Sequence, residues 1–154
     1  MADTECTQHE FFMARCITLA LVAKQRGESP VGSIVVKDGN IIGEGIEAVK
    51  ANADITFHAE IEAIRRASKF VNGRTLENCV LYTTHEPCIM CSYIIRQASI
   101  GTVVIGQLGG DGTGGLSSQH ALLLDTGIQK WGNPPAIITG VMRDECEGLN
   151  AHGN

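Results

Sequence analysis

The sequence predicts a three-layer α/β/α domain around a mixed five-stranded sheet, and three observations support this fold class. Helical apolar periods and short β-branched runs follow one another in the order helix, strand, strand, helix, strand, helix, strand, helix, strand. The 154 residues suit one domain with room for a hydrophobic core. Hydrophobic residues make up 44% of the chain and charged residues 19%, which excludes a disordered chain. We therefore expect a single domain over residues 1–154.

The first half of the chain predicts a helix, a β-hairpin and a second helix. Thr7 and Glu10 have the spacing of a capping box, and the apolar residues that follow recur with a helical period. Two β-branched runs flank a turn at Asp38 and Gly39, which predicts a hairpin. The expected elements are a helix at about 9–25, strands at 31–36 and 41–46, a loop at 47–57 and a helix at 58–69.

The second half alternates strands with helices, an order that favours parallel crossovers. Pro87 is expected at the first position of a helix, where its missing N–H costs no hydrogen bond. A glycine-rich segment lacks the lysine of a phosphate-binding loop, so we interpret it as a flexible connection near the mouth of a site. The expected elements are a strand at 80–84, a helix from 87 to about 97, a strand at 102–105, the glycine-rich loop at 108–115, a helix at 117–124, a strand at 136–141 and a helix at 144–149, with residues 151–154 frayed.

Charge and hydropathy restrict the classes of partner. Twelve Lys and Arg residues against seventeen Asp and Glu residues give a net charge of −5, which argues against nucleic acid as the main partner. The first ten residues are polar and carry no signal peptide, and no apolar run is long enough to cross a bilayer. We expect a cytoplasmic protein with no membrane partner.

Six cysteines in a chain without a secretion signal favour metal binding over a disulfide framework. Cys16, Cys79 and Cys146 lie in apolar or helical patterns, so we interpret them as small core residues. We interpret Cys6 as an exposed, incidental residue. The last two, Cys88 and Cys91, stand at i and i+3, a spacing that puts both side chains on one face of a helix.

His58, Cys88 and Cys91 are three candidate zinc ligands, and Glu60 lies close to the first of them. Zinc with three protein ligands keeps a fourth position open for water and lowers the pKa of that water to about 7. A carboxylate that is not a ligand can then transfer protons beside the metal. The set therefore predicts a catalytic zinc site.

The alternative is a structural zinc site, which needs a fourth ligand from Cys79, His85 or Cys146. The free Glu60 favours the catalytic interpretation. His85 ends a strand that leads to the cysteines, so it either lines a substrate pocket or is an ordinary strand-end residue. Trp131 either closes over a ligand or packs at the edge of the core, and the second interpretation is preferred.

The motifs His58-Ala59-Glu60 and Pro87-Cys88-Ile89-Met90-Cys91 match the zinc-deaminase signature. The chain resembles the cytidine and deoxycytidylate deaminase-like superfamily, and within it the branch of tRNA adenosine deaminase, guanine deaminase and fungal cytosine deaminase. Further residues that fit this branch are Pro30-Val31-Gly32, Asp54, Thr56, Glu86 and Asp144-Glu145-Cys146.

The resemblance implies a fold, a cofactor and a set of roles. It implies the cytidine deaminase-like fold with the last two strands parallel, Zn²⁺ on His58, Cys88 and Cys91, Glu60 as the proton shuttle, and a homodimer. The backbone at Ala59 and Cys88 would contact water and substrate. The candidate substrate-contacting residues are Glu47, Phe57, Ala59, His85, Glu86, Pro87 and Trp131.

Two differences from the tRNA enzymes of the branch bear on the substrate. Those enzymes resemble one another in a basic C-terminal helix, whereas residues 148–154 hold no Lys or Arg. At the position of a base-contacting asparagine, eleven residues before His58, this chain has Glu47, whose alternative interpretation is an exposed loop carboxylate. We therefore expect hydrolytic deamination of a small amino-heterocycle, such as guanine, cytosine, isocytosine or a triazine analogue. The alternatives are a tRNA-specific adenosine deaminase and a non-catalytic zinc-stabilised binding module.

Overall fold

The structure of the protein is a computed structural model that describes residues 2–150, with side chains from residue 8 onward. The prediction that residues 151–154 fray lies outside the described residues. The helices are α1 Ala2–Gln25, α2 Val49–Asn52, α3 Ala59–Val71, α4 Ile89–Gln97 and α5 Arg143–Gly148, with a 3₁₀ turn at Gln129–Trp131. The strands are β1 Gly32–Lys37, β2 Asn40–Ile46, β3 Cys79–His85, β4 Thr102–Gln107 and β5 Ala136–Thr139.

The five strands form one mixed sheet in the order β2-β1-β3-β4-β5. Strand β1 is antiparallel to β2 and to β3, whereas β3, β4 and β5 run parallel to one another. The expected five-stranded sheet with parallel last strands is therefore confirmed. Parallel pairing brings the carboxyl ends of β3 and β4 to the same edge of the sheet, where loops can form a site.

Two apolar clusters cover the two faces of the sheet, because successive strand residues point to opposite sides. Leu81 and Val103 belong to the cluster that contains residues of α3 and α4, while Tyr82 and Val104 belong to the cluster that contains residues of α1 and α5. Burial of each large apolar side chain contributes about 1.5–3 kcal/mol to the free energy of unfolding. The three-layer arrangement is confirmed, and the predicted core cysteines Cys16, Cys79 and Cys146 are buried.

Helix α3 packs closely on β2 because that strand carries glycine at two alternate positions. A Cβ at Gly43 would lie 2.3 Å from the carbonyl oxygen of Ala63, and one at Gly45 would lie 2.1 Å from the carbonyl oxygen of Ala59. Only glycine therefore allows this approach. The contact fixes the first turn of α3, which carries Glu60.

Several predicted boundaries in the first half of the chain are wrong. Helix α1 begins at Ala2 rather than near residue 9, so Thr7 lies inside the helix and is not its cap. The predicted loop at 47–57 contains the short helix α2. The carboxylate of Glu28 accepts the backbone N–H groups of Lys50 and Ala51 at 3.0 and 2.9 Å, which satisfies the first turn of that helix.

The start of α4 also differs from the prediction. Pro87 is not the first residue of the helix; Cys88 is its N-cap, with an extended backbone, and the helix begins at Ile89. The Cys88 sulfur accepts the backbone N–H of Cys91 at 3.5 Å, so a side chain that was predicted only as a metal ligand also caps the helix.

The predicted helix at 117–124 is wrong, since these residues form turns. Side chains from distant parts of the sequence form hydrogen bonds with backbone groups that would be paired with each other in such a helix. The Glu86 carboxylate accepts the N–H of Ser117, and the Arg96 guanidinium donates to the carbonyl oxygens of Leu122 and Asp125. The last strand ends at Thr139 rather than at residue 141, because Gly140 turns the chain with a φ of +80°.

No helix in the described part of the chain is long and apolar enough to span a membrane.

Candidate active site

A cavity of about 280 Å³ lies where helices α3 and α4 begin. Its volume is close to the lower end of the range for small-molecule pockets, about 300–1,000 Å³. His58 and Cys88, the N-cap residues of the two helices, both line it. The cavity therefore combines the two halves of the sequence motif in one site of a size that suits a single heterocyclic base.

The side chains of His58, Cys88 and Cys91 form a compact donor set. The Nδ1 atom of His58 lies 3.6 Å from the Cys88 sulfur and 3.5 Å from the Cys91 sulfur. Tetrahedral zinc, with bonds of about 2.0–2.1 Å to nitrogen and 2.3 Å to sulfur, needs neighbouring ligands about 3.5 Å apart. The three residues therefore fit zinc. Among the described residues the group of potential ligands contains these three, and neither Cys79, His85 nor Cys146 belongs to it.

The electrostatics of this donor set are those of thiol and imidazole groups in direct contact. The hydrogen bond with Cys91 and the contact with His58 lower the pKa of Cys88 to about 4, although burial opposes this effect. The same contact with Cys88 raises the pKa of His58 to about 9. The pKa of the Cys91 thiol is raised by its bond to Cys88 and by burial. Because zinc takes thiolates and neutral imidazole as ligands, loading of the site with zinc would release protons.

Glu60 lies beside this donor set in the first turn of α3. Only 4% of the residue is exposed. Its Oε1 accepts a hydrogen bond of 2.8 Å from the Thr83 hydroxyl, and its Oε2 lies 3.7 Å from the Cys91 sulfur. Burial, together with the charge of Glu47, raises the pKa of Glu60 to about 7. A carboxyl group of this kind can both accept and donate a proton near neutral pH.

Glu47 follows strand β2 and lines the cavity, so it is not an exposed loop carboxylate. Its Oε1 accepts the backbone N–H of Ala59 at 3.0 Å, at the free N-terminus of α3. Burial raises the pKa of its carboxyl group. His85 also lines the cavity, with its Nδ1 atom 3.2 Å from the carbonyl oxygen of Glu86.

The remaining candidate residues have other contacts in the structure. Among the described lining residues, Phe57, Ala59, Pro87 and Trp131 do not occur. The Arg65 guanidinium lies over the ring of Phe57, 5.0 Å from its centroid. The ring centroid of Trp131 lies 5.7 Å from that of Tyr93 and 5.2 Å from the Arg96 guanidinium carbon. Their contact with substrate stays a prediction from the sequence.

Glu86 lines the cavity, and its carboxylate accepts backbone N–H groups of the glycine-rich segment and the residue after it. Parts of that segment form one wall of the cavity. Lining residues that the sequence did not identify are Ser29, Pro30, Val31, Gly109, Asp111, Thr113, Gly114 and Asn150. The glycine run was the available signal, since it was expected near the mouth of a site.

Comparison with known proteins identifies the family. Residues 6–107 match the model of the cytidine and deoxycytidylate deaminase zinc-binding region. The chain belongs to this family, so the expected superfamily, fold and zinc cofactor are confirmed, and His58, Cys88 and Cys91 form a group that could hold the zinc.

Curated relatives include both tRNA and base deaminases. The tRNA-specific adenosine deaminase of Aquifex aeolicus (strain VF5) is 42% identical over 99 residues, which cover 64% of this chain and 66% of the relative. The guanine deaminase of Bacillus subtilis (strain 168) is 46% identical over 84 residues, which cover 54% of each chain. The chain thus spans less than two thirds of the length of these relatives. The tRNA-specific adenosine deaminase of the same Bacillus strain is 32% identical over 143 residues, which cover 93% of this chain and 86% of that protein.

Two similar solved structures likewise include one from a study of tRNA deaminases and one base deaminase. A structure from a study of A-to-I editing by tRNA:A34 deaminases has a TM-score of 0.84 and 28% identity, and covers 90% of this chain and 98% of its own. The guanine deaminase of Bacillus subtilis has a TM-score of 0.63 and 42% identity, and covers 65% of this chain and 64% of its own. The comparisons therefore fix the class of the protein, a zinc-binding deaminase domain.

Proposed function

We propose that the chain is a zinc-dependent hydrolase that removes the amino group of a small amino-heterocycle and releases ammonia. The substrate is a free nucleobase such as guanine, cytosine or isocytosine, or a triazine analogue. The observation that carries this proposal is the charge of the cavity. Glu47, Glu60 and Asp111 line it, and among the described lining residues there is no Lys or Arg. A phosphate-bearing substrate would meet carboxylates without a Lys or Arg side chain to bind it, whereas a neutral base with amino groups finds acceptors.

Glu60 is the proton-transfer residue in this reaction. Zinc on His58, Cys88 and Cys91 would supply an activated water by lowering its pKa to about 7. As water adds to the carbon that bears the amino group, the Glu60 carboxylate accepts a proton from it. Glu60 then donates that proton to the neighbouring ring nitrogen, and transfers the second proton of the water to the amino group that leaves as ammonia.

Thr83 orients Glu60 for this role. Its hydroxyl donates to Oε1, so Oε2 remains on the side of the Cys91 sulfur. The carboxylate cannot rotate freely without losing that bond in a buried site, where an unpaired group costs free energy. Oε2 is therefore the atom that we assign to proton transfer.

Glu47 narrows the substrate class further. One of its oxygens is bound to the N–H of Ala59, and an ionised carboxylate offers hydrogen-bond acceptors only. A heterocycle that presents a ring N–H or an amino group on that edge is therefore favoured. Guanine, isocytosine and amino-triazines have such donors.

A tRNA-specific adenosine deaminase is the second candidate function. It is supported by the relative from Bacillus subtilis that covers 93% of this chain and by the tRNA:A34 deaminase structure with its TM-score of 0.84. Only the reactive base of a tRNA would enter the cavity, while its phosphates stay outside. The negative charge of the cavity therefore disfavours a tRNA less strongly than it disfavours a free nucleotide. A non-catalytic zinc-stabilised module is a third, weaker alternative.

One panel separates these functions. The zinc-loaded protein is assayed for ammonia release with guanine, cytosine, isocytosine, an amino-triazine, dCMP and a tRNA anticodon stem-loop, and its zinc content is measured in parallel. We expect one zinc per chain and turnover of at least one free heterocycle. Turnover of the stem-loop alone would establish the tRNA function instead. Full zinc occupancy without turnover of any member would favour the binding module.

We also infer a homodimer, as the family resemblance implies, with the face near α4 at the interface. Tyr93 of α4 and Leu124 in the segment after β4 are 48% and 50% exposed, so apolar surface is available there. Light scattering at assay concentration tests this, and a fully active monomer would contradict it. A cytoplasmic location stays a prediction.

A further inference from the structure

We propose that Glu86 is a positioning residue that holds residues 109–117, the wall segment, as a fixed boundary of the cavity, and that this boundary selects among heterocycles. The selection step rests on the proposed function, whereas the positioning step does not. Glu86 follows strand β3 directly, and the wall segment begins just after the neighbouring parallel strand β4. The ends of two adjacent strands thus lie on the same side of the site.

The Glu86 carboxylate is saturated with hydrogen bonds from the wall segment. Its Oε1 accepts the backbone N–H of Gly109 at 2.9 Å and the hydroxyl of Ser117 at 2.6 Å. Its Oε2 accepts the backbone N–H groups of Leu116 and Ser117 at 3.0 and 2.8 Å. Only 3% of the residue is exposed, so these donors satisfy a charge that water does not reach. The two ends of the wall segment are thus tied to one side chain.

The wall segment approaches so closely that two of its positions must be glycine. A Cβ at Gly114 would lie 1.8 Å from Oε2 of Glu86, and one at Gly115 would lie 1.8 Å from the hydroxyl oxygen of Ser92. Both are far shorter than a van der Waals contact. The glycine content of the segment therefore serves close packing against Glu86 and α4, and not only flexibility.

The wall segment is also bonded to the turn that carries the first cysteine ligand. The N–H of Ile89 donates to the carbonyl oxygen of Thr113 at 2.9 Å, and the N–H of Gly115 donates to that of Pro87 at 2.8 Å. Cys88 and Gly114 form a β-bridge between these bonds. Glu86 thus fixes a unit that includes both the cavity wall and the backbone of Cys88.

Four residues of the wall segment line the cavity: Gly109, Asp111, Thr113 and Gly114. Two of them are glycines, which have no side chain. The glycine positions of this boundary cannot adapt by rotamer changes, so the position of their backbone sets the room available to the ring. If the segment is released, the limit on ring size and shape weakens, and substrates that differ in size are discriminated less.

Amide hydrogen exchange of the zinc-loaded protein tests the positioning step without any assay of activity. In Glu86→Gln one carboxylate oxygen becomes an NH₂ group that faces N–H donors. The amides of Gly109, Leu116 and Ser117 should exchange faster by roughly tenfold or more, the factor expected for the loss of one hydrogen bond to a charged group. The matched control is Glu28→Gln. Glu28 is another buried residue, and its carboxylate accepts two backbone N–H groups of helix α2. The proposal would be overturned if these three amides exchanged at the wild-type rate in Glu86→Gln, or if Glu28→Gln accelerated the same three amides equally.

Kinetics test the selection step. The ratio of kcat/KM between guanine and cytosine should move towards 1 in Glu86→Gln and stay unchanged in Glu28→Gln, at equal zinc content. A loss of rate with the ratio unchanged would assign Glu86 a purely structural role. If Glu86→Gln does not fold, Ser117→Ala removes one of the four bonds and Gly114→Ala strains the same contact from the other side. A wild-type protein without deaminase activity would contradict the proposed function while leaving the exchange result intact.

Discussion

The Thr83 hydroxyl donates a 2.8 Å hydrogen bond to Oε1 of Glu60, and this bond joins the centre of the sheet to the carboxylate that we propose for proton transfer. Thr83 lies in β3, which pairs with both β1 and β4, and it is fully buried. Glu60 comes from a different element, the first turn of α3. The orientation of the carboxylate is therefore set by a buried strand in the middle of the sheet rather than by a loop.

Glu60→Gln should retain the fold and the zinc while turnover falls by roughly 10²–10⁴-fold, the usual contribution of a positioned acid–base group. The amide is isosteric and can still accept the Thr83 hydrogen bond, but it cannot take up a proton. Turnover and bound zinc are measured on the same preparation. Near-normal turnover in a variant with full zinc content would remove Glu60 from the mechanism.

Thr83→Val should lower kcat by about tenfold, because it removes the orienting hydrogen bond and keeps the shape of the side chain. Zinc content should not change, since the group of potential ligands consists of His58, Cys88 and Cys91. Thr18→Val is a control, because the hydroxyl of that exposed threonine bonds only to its own helix, at Ala14. An unchanged kcat in Thr83→Val would show that Oε2 is oriented without this bond.

Cys88→Ala and Cys91→Ala should each lose zinc, activity and stability together. Metal binding to a folded site contributes to the free energy of unfolding, so apo variants are less stable than the loaded protein. Cys79→Ala is the matched control, because this cysteine is buried in the core and lies outside the donor set. Metal analysis and thermal unfolding with and without a chelator give the readout. Normal zinc content in either ligand variant would contradict the assignment.

Arg96→Met should destabilise the protein by about 2–4 kcal/mol, because one hydrogen bond to a charged group contributes about 1.5–3 kcal/mol and the contributions of neighbouring bonds do not add in full. The guanidinium is buried and donates to the carbonyl oxygens of Leu122, Asp125 and Gly132 at 2.6, 2.8 and 3.2 Å. Those three carbonyls lose their partner in the variant. Denaturant unfolding measures the change, with Arg66→Met on the exposed face of α3 as the control. A difference below about 0.5 kcal/mol between the variants, the range of ordinary surface changes, would contradict this role.

The metal site could be predicted from sequence because zinc chemistry demands particular residue types at short spacings. Cys88 and Cys91 are three residues apart, and His58 with Glu60 completes a pattern that few other functions require. The mixed five-stranded sheet with parallel last strands could likewise be predicted, since a hairpin followed by strand–helix–strand units leaves few topologies. These features depend on local sequence patterns, which can be recognised without knowledge of the tertiary contacts.

Two of the failures involve contacts between residues far apart in the chain. Apolar spacing suggested a helix at 117–124, but Glu86 and Arg96 take the backbone groups of that segment instead. Glu28 caps a helix in what was predicted as a loop, and it lies 22 and 23 residues from the amides it accepts. No local period carries information about such side-chain-to-backbone bonds, so the wall of the cavity could not be derived from sequence.

Glu47→Gln tests how the substrate is recognised. The Gln carbonyl can replace Oε1 as acceptor of the Ala59 N–H, which is 3.0 Å away, and the new NH₂ group then takes the place of the second oxygen. An acceptor in the cavity becomes a donor. For substrates with a ring N–H or amino group on that edge, kcat/KM should fall by about 1.5–3 kcal/mol, or about 10- to 150-fold. Substrates with an acceptor on that edge should lose less, because a site penalises the ligand that leaves its polar group unpaired.

The control and the contradicting result follow from the same geometry. Glu28→Gln changes another carboxylate that accepts helix N–H groups, and Glu28 is not among the described lining residues of the cavity. It should affect stability without changing the order of substrates. The measurement is kcat/KM for both variants on isocytosine, guanine, cytosine and the anticodon stem-loop. Small and equal effects of Glu47→Gln on every substrate would limit this residue to the N-terminus of α3, and specificity would then depend on His85 and the wall segment.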